Sequence, residues 1–274
     1  MNLKKLFISL FLVLIIFVQK IYADDAVNSA RDIKNKFENA VVSIKITIKQ
    51  KMAIQGREVN TNESRSEIIG TVIDNSGLIV TSLIATEPTV FYNKIMKNRG
   101  GPQASHMKWE SEVSDIKIRF NDGQEKEGKI LLRDKDLDLV FIQPAEKYSA
   151  SSSVNLKEAG EVRILDQIVI LSRLGKIASW TPTMTLDRIE AVIQKPRPFY
   201  ISRTKDYFGA PVFSLDGKFA GIYVLRSTES DSDIISSIFS GPGAAGFIPI
   251  ILPASDIAET VKQILETPAQ EKSQ

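Results

Sequence analysis

The sequence predicts an all-β fold, a barrel or a sandwich built from many short strands. Residues 41–48 are rich in β-branched side chains and alternate apolar with polar positions, which is the period of a half-buried strand. Two dipeptides, Asp122-Gly123 and Asp216-Gly217, lie between such segments and supply the positive φ angles that tight hairpins need. Repeated short strands separated by turn residues are typical of barrels and sandwiches.

The first half of the chain opens with a helix and continues as strands. Over residues 24–38, apolar side chains recur at helical spacing on one face, which predicts a short amphipathic helix. A turn over residues 74–77 then separates two of the strands that follow. The strands expected in this half are residues 41–48, 68–73, 78–83, 116–120, 125–132 and 137–142.

The second half repeats this organisation after a linker. Residues 146–159 are polar and serine-rich and are expected to join the two halves. Pro253 ends the last expected strand, and Ser255 is placed to cap a helix with one apolar face. The strands expected in this half are residues 162–164, 167–172, 184–193, 199–202, 211–215, 219–225 and 246–250.

The first 23 residues have the pattern of a secretory signal peptide. Lys4 and Lys5 precede an apolar run over residues 6–18, and Ala23 stands at the expected cleavage site. An uncleaved membrane anchor is the alternative, but the run is short for a span of about 20 residues. No later stretch is long and apolar enough to cross a bilayer. We therefore expect an exported protein, periplasmic or secreted, with no membrane span once the signal is cleaved.

The charge and the cysteine content exclude some classes of function and of site. Loss of Lys4, Lys5 and Lys20 with the leader takes the formal charge from +2 to −1, so the mature chain has no electrostatic reason to bind nucleic acid. The chain has no cysteine, which excludes disulfides and thiolate metal sites. An exported protein without disulfides favours a bacterial cell envelope.

Three motifs resemble those of trypsin-like peptidases of the bacterial HtrA type. Residues 70–85 read GTVIDNSGLIVTSLIA, residues 134–142 read DKDLDLVFI, and residues 206–222 read DYFGAPVFSLDGKFAGI. The resemblance spans about residues 27–266 and implies two six-stranded antiparallel β-barrels with short N- and C-terminal helices. We expect no counterpart of the PDZ domain that usually follows in that family. The implied organisation is a signal peptide (1–23), an N-terminal helix and first barrel (24–145), a linker (146–159), a second barrel and C-terminal helix (160–266), and a disordered tail (267–274).

In that family the three motifs carry the catalytic His, Asp and Ser. The matching positions here are Ile84, Asp138 and Phe208, so two of the three groups are hydrocarbon. Asp206 stands where the family has an oxyanion-hole glycine, and a carboxylate there opposes the charge that the hole stabilises. Loss of a triad nucleophile alone costs about a millionfold in turnover. On this resemblance we expect a homologue that has lost its catalytic groups and is not an enzyme.

Other candidate groups are sparse. We expect Asp138 to accept a hydrogen bond from a nearby hydroxyl such as that of Ser82, or to face water, because an unpaired buried carboxylate is costly. The only histidine, His106, lies in an insertion over residues 87–114 that shows no strand signal; a second insertion covers residues 227–245. Loops this long are often functional or disordered. One histidine and scattered carboxylates predict no metal site, and we expect no cofactor.

Three functions are weighed. The first is a binding or scaffold protein that holds a protein or an extended peptide in the former substrate cleft, lined by Asp206, Tyr207, Phe208 and Gly209. The second is a hydrolase with a relocated site that uses residues such as Ser202 or His106; Thr204-Lys205 is a weaker pair, because neighbours on a strand face opposite ways. The third is a regulatory subunit of an active protease homologue. The sequence leaves the oligomeric state open.

Overall fold

The structure, a computed structural model, describes residues 25–54, 57–90, 93, 107–204, 207–227 and 247–266. The predicted leader and the predicted C-terminal tail lie outside these residues. Two closed six-stranded antiparallel barrels make up most of the fold, and helices at the two ends flank them, as predicted. The position of the domain boundaries stays a prediction.

Barrel 1 is formed by the first six strands, which close in the order β1-β2-β3-β6-β5-β4. The side chains that face inward are apolar and fully buried, as in Ile44, Ile118 and Phe141, so the barrel is filled by its own side chains. The strands are β1 (Val41–Ile54), β2 (Arg57–Val72), β3 (Ile79–Ser82), β4 (Met107–Arg119), β5 (Glu125–Asp134) and β6 (Leu139–Pro144).

Barrel 2 closes in the order β10-β11-β12-β9-β8-β7. The turn Asp216-Gly217 joins β10 to β11, as the sequence predicts, with Gly217 at φ +79°. The predicted strand over residues 162–164 is wrong: these residues have no strand structure, although Val162 is buried. The strands are β7 (Gln167–Arg173), β8 (Pro182–Ile193), β9 (Phe199–Ser202), β10 (Pro211–Ser214), β11 (Phe219–Ser227) and β12 (Phe247–Pro253).

Barrel 1 carries a three-stranded arm that the sequence analysis missed. Here β1 pairs with both β2 and β4 as far as Ile54, whereas β2 pairs with β3 only at Thr71 and Val72. The arm consists of residues 49–54, 57–63 and 107–112. Residues 107–114 were expected to be loop and are strand instead. His106 and most of the 227–245 insertion lie outside the described residues.

The barrels share a continuous apolar core. Val169 and Leu171 of barrel 2 belong to the same buried cluster as Ile44 and Val80 of barrel 1, so separating the barrels would expose apolar surface. The N-terminal helix α1, residues 25–37, joins this core, and the Phe37 ring stacks on Phe213 of β10 at 4.5 Å between centroids.

The C-terminal helix α2 (Ala254–Glu266) closes the described chain. It follows β12 directly, and its apolar side buries Ile257 against the shared core. Within the described ranges, no helix combines the length and the apolar composition that a membrane crossing requires.

Candidate functional site

Two of the three motif positions meet at a turn next to a short helix. Residues 135–138 form the turn between β5 and β6, and the Asp134 side chain holds it by accepting hydrogen bonds from the amides of Asp136 and Leu137, each 3.0 Å. Asp138 ends the turn at φ +57°, a conformation that Asp tolerates better than most residues. Its carbonyl accepts from the Leu83 amide at 2.9 Å, which fixes the 3₁₀ helix Leu83–Ala85 that contains Ile84.

The Asp138 carboxylate receives three hydrogen bonds. The Ser82 hydroxyl and the Leu225 amide of β11, the latter at 3.0 Å, both donate to Oδ2. The Ile84 amide donates to Oδ1 at 3.2 Å. The expected hydrogen bond from Ser82 is therefore present. The amide from β11 was not expected, and it makes Asp138 a link between the two barrels.

Burial controls the ionisation of this carboxyl group. Removal from water raises the pKa of Asp138 to about 7, although the hydrogen bonds from Ser82, Leu225 and Ile84 act in the opposite direction. All three donors are uncharged, and among the described residues no lysine or arginine forms an ion pair with Asp138. Among the described residues, the group is therefore held without a counter-ion.

The third motif forms a turn that is fixed at the junction of the barrels. Phe208 is half-buried in this turn. The next residue, Gly209, donates its amide to the Tyr223 carbonyl at 2.7 Å and accepts from the Thr71 hydroxyl of β2 at 2.8 Å. Gly209 has φ +85°, and a Cβ there would lie 2.1 Å from the Ile69 carbonyl oxygen, so this position requires glycine.

The structure brings some of the predicted cleft residues together. Ile84 and Asp138 are in contact, and Tyr207, Phe208 and Gly209 share the turn that packs on β2. Asp206 lies outside the described residues. The assignment of Ile84 and Phe208 to catalytic positions of the HtrA type stays a prediction; their side chains carry neither a titratable group nor a nucleophile.

A second polar cluster lies in barrel 2 and includes residues named from the sequence. The Ser202 hydroxyl hydrogen-bonds the Tyr223 hydroxyl, and both side chains are buried. The Asp187 carboxylate accepts from the Thr204 hydroxyl at 2.6 Å and from its amide at 2.9 Å. The sequence analysis missed Asp187 and Tyr223; the signal was a polar residue, Asp187, alternating with the apolar positions of β8.

This cluster gives Ser202 no ready proton acceptor. Burial raises the pKa of Tyr223, so its phenol stays protonated at neutral pH. Burial acts to raise the pKa of Asp187 as well, but hydrogen bonds from Thr204, Arg188 and Ser202 bring it below the usual range. A carboxylate of low pKa is a weak base. His106 and Lys205, the other groups considered for hydrolysis, lie outside the described residues.

Metal ligands are not grouped in the part of the chain that the structure describes. Within those ranges, no three His, Cys, Asp or Glu side chains are placed together as a metal ion would require.

Comparison with known proteins finds similar folds among solved structures. No protein-family model matches the chain, and a search of curated proteins finds no significant match. Among solved structures, the HtrA-type protease AlgWS227A with a decapeptide aligns at TM-score 0.53 and 14% identity, covering 86% of this chain and 67% of that one. The same protease with a tripeptide aligns at TM-score 0.51 and 14% identity, covering 86% and 64%.

These neighbours support a trypsin-like, HtrA-like two-barrel fold. The chain spans about two thirds of the length of each of them, and at 14% identity the likeness concerns the fold alone. The prediction that the protein is not an enzyme is contradicted by the comparison, because the two structural neighbours named above are HtrA-type proteases, which are enzymes.

Proposed function

We propose that the protein binds an extended segment of another protein or a peptide in the cleft between its barrels, beside the Phe208 turn. The observation that carries this proposal is an open strand edge. β11 pairs with β12 as far as Ser227, but its pairing with β10 ends at Ile222. Among the described residues, positions 224–227 therefore have a strand on one side only, and on the other side the Leu225 amide is held by Asp138. Such an edge accepts an extended chain by main-chain hydrogen bonds.

The surroundings of the edge suit an extended ligand. Phe208 is half-buried, so part of its ring is free to contact an apolar side chain of the bound segment. The solved neighbours are HtrA-type proteases with a decapeptide and with a tripeptide, which supports a peptide as the class of ligand. Among the described residues, Tyr207 and Gly209 complete the proposed cleft, with Ile84 and Phe208 in place of a catalytic histidine and serine.

Hydrolysis of the bound segment is the second candidate, favoured by the proteases among the neighbours. It requires a nucleophile and a base other than the side chains of Ile84 and Phe208. A binding assay that also detects cleavage separates the two candidates, because both begin with a segment bound at the same edge.

A photocrosslinking experiment tests the proposal. The photoreactive residue p-benzoylphenylalanine replaces Phe208 in one form of the protein and Leu186, an exposed residue of β8, in a control form. We expect fluorescent unfolded casein to be captured at position 208 and not at 186. Intact casein in the adduct supports binding alone, and fragments support the second candidate. Absence of capture at 208, or equal capture at 186, would overturn the proposal.

A pair of variants tests the strand edge itself. The Leu225 amide points away from β12, toward Asp138, so the Ser227 amide two residues later points the same way. Ser227→Pro removes that donor from the open edge, whereas Ser227→Ala keeps it. Casein binding, measured by fluorescence anisotropy, is expected to weaken severalfold in Ser227→Pro and to remain in Ser227→Ala. Equal affinities in the two variants would exclude binding through this edge.

We also propose that residues 1–23 direct export and are removed. Lys4, Lys5 and the apolar run after them are the supporting features. Cell fractionation followed by mass measurement of the protein's N-terminus tests this; a cytoplasmic protein that begins at Met1 would contradict it.

A further inference from the structure

Asp138 connects the barrels at the edge of the cleft. Its backbone and two of its donors, Ser82 and Ile84, belong to barrel 1, whereas the third donor, the Leu225 amide, belongs to β11 of barrel 2. β11 is also the strand whose edge opens beyond Tyr223. A change at the Asp138 carboxyl group therefore acts directly on the position where the two barrels meet.

Among the described residues, the charged groups on the surrounding elements either have other partners or lie out of reach of the Asp138 carboxyl group. Arg133 pairs with Glu87 at 2.6 Å, the Asp134 side chain caps its own turn, and the Arg226 guanidinium lies 5.7 Å from the centroid of the Phe199 ring. No charged group of the described residues is among the causes that shift the pKa of Asp138. Within the described ranges, the charged residues of the elements packed around Asp138 are Glu87, Arg133, Asp134, Lys135, Asp136 and Arg226.

An ionised carboxylate without a counter-ion is costly to keep away from water. Three neutral donors recover part of that cost, and the Ile84 bond is long at 3.2 Å. The remaining cost is relieved when water reaches the group. The contact with Leu225 is the one that water can reach by separating β11 from the β5–β6 turn, without disturbing the ladder of barrel 1.

We propose that Asp138 makes the contact between the β5–β6 turn and β11 sensitive to pH, closed while the carboxyl group is neutral and opening more often once it is ionised. The proposal does not depend on peptide binding. It rests on the position of an unneutralised carboxyl group at the barrel junction, with donors from both sides.

The pH range follows from linkage. Burial raises the pKa of Asp138 to about 7 in the closed contact, whereas a solvated aspartate titrates near 4. The closed form thus holds the proton more tightly and is favoured at low pH. As the pH rises from about 4 to about 7, the ratio of open to closed contacts grows by about tenfold per pH unit, and it levels off above about 7.

Amide hydrogen exchange on the full-length mature protein tests this directly. The opening constant of the Leu225 amide, corrected for intrinsic exchange, is expected to rise about tenfold per pH unit from pH 5 to 7 and then to level off. The Tyr223 amide, which bonds to the Ala210 carbonyl at 3.1 Å, serves as an internal reference and should change little. A similar rise at both amides would indicate opening of the whole protein and would overturn the proposal.

Two further measurements keep the proposal testable even if one variant fails to fold. Asp138→Asn suits the positive φ of this position and is expected to remove the pH dependence at Leu225, whereas the control Asp187→Asn should retain it. Carbon-13 titration of the Asp138 carboxyl in the unmodified protein needs no variant, and a midpoint near pH 4 would refute the proposal outright.

Discussion

Asp138 and Asp187 are two carboxylates with similar donors whose pKa values move in opposite directions. Asp138 accepts from the Ser82 hydroxyl and two amides. Asp187 accepts from the Thr204 hydroxyl and from the amides of Thr204 and Arg188. Burial raises the pKa of Asp138 to about 7, whereas the net effect on Asp187 is a lowered pKa.

The difference shows when hydrogen bonds alone can keep a carboxylate ionised. In both cases burial is the largest single cause and raises the pKa, and the hydrogen bonds lower it. They prevail at Asp187, which is less deeply buried, and fail at Asp138, which lies at the barrel junction. In this pair, neutral donors keep the less buried carboxylate ionised and do not offset the burial of the deeper one. Among the described residues, Asp138 has no cation that would add to its donors.

The largest expected effect is on the pH dependence of stability at Asp138. Its folded pKa, about 7, lies above the unfolded value of about 3.9. The stability from this group is therefore full below about pH 4 and is lost as the pH rises to about 7. Relative to Asp138→Asn, the wild-type protein should lose about 1.4 kcal/mol per pH unit, up to roughly 4 kcal/mol in total.

Urea unfolding at half-unit steps from pH 4 to 8 measures this difference. The side-chain amide introduced by Asp138→Asn carries only one acceptor oxygen, so this variant also has an offset that does not vary with pH. The test is the change with pH of the difference in unfolding free energy between the two proteins, and not its constant offset. Parallel profiles for the two proteins would show that Asp138 titrates normally and that the contrast with Asp187 is absent.

The contacts that could be predicted from the sequence are those between recognised motifs. The Ser82–Asp138 bond was expected because Ser82 lies in the motif of residues 70–85 and Asp138 in that of residues 134–142, and the resemblance brings these two motifs together. The Leu225 amide was not, because a backbone donor from another barrel leaves no trace in side-chain pattern. The closure into two barrels came from a family resemblance, since strand periodicity alone does not distinguish a barrel from a sandwich.

The missed arm has a different cause. In β4, Met107, Trp109 and Val113 alternate with charged residues, which is a strand signal that the Gly- and Pro-rich sequence before it obscured. In β2, the arm is exposed and has a single apolar residue, Val59, so it offers no apolar period to detect. Cross-strand pairs such as Lys49 with Glu63 and Glu112 become visible only once the register is known.

Removing one hydroxyl donor at each carboxylate sharpens the comparison. Ser82→Ala should raise the pKa of Asp138 further, by about one to two pH units, because the ionised form loses a hydrogen bond worth about 1.5–3 kcal/mol. Thr204→Val removes the matching donor from Asp187 and preserves side-chain shape. The pKa of Asp187 should rise by less, since water replaces the lost donor there.

Carbon-13 titration of both carboxyl groups in each variant provides the measurement. Each variant is the other's control, because Ser82→Ala should leave the pKa of Asp187 unchanged and Thr204→Val that of Asp138. A larger shift at Asp187 than at Asp138 would mean that burial is not what separates the two sites.

The smallest effect is expected at Asp187, with the opposite sign. Its folded pKa is lowered, so its stabilising contribution is present above the unfolded value of about 3.9 and is lost as the pH falls through the folded one. Solvent screening keeps this contribution below about 1 kcal/mol. Relative to Asp187→Asn, the wild-type protein should therefore lose stability only below about pH 4, as measured by urea unfolding between pH 2.5 and 5.

Because Asp138 destabilises the protein as the pH rises above about 4 and Asp187 does so as it falls, their combined contribution to stability should be greatest near pH 4. A profile in which Asp187→Asn instead changes stability between pH 5 and 7 would assign the buried, unneutralised carboxyl group to barrel 2 rather than to the junction.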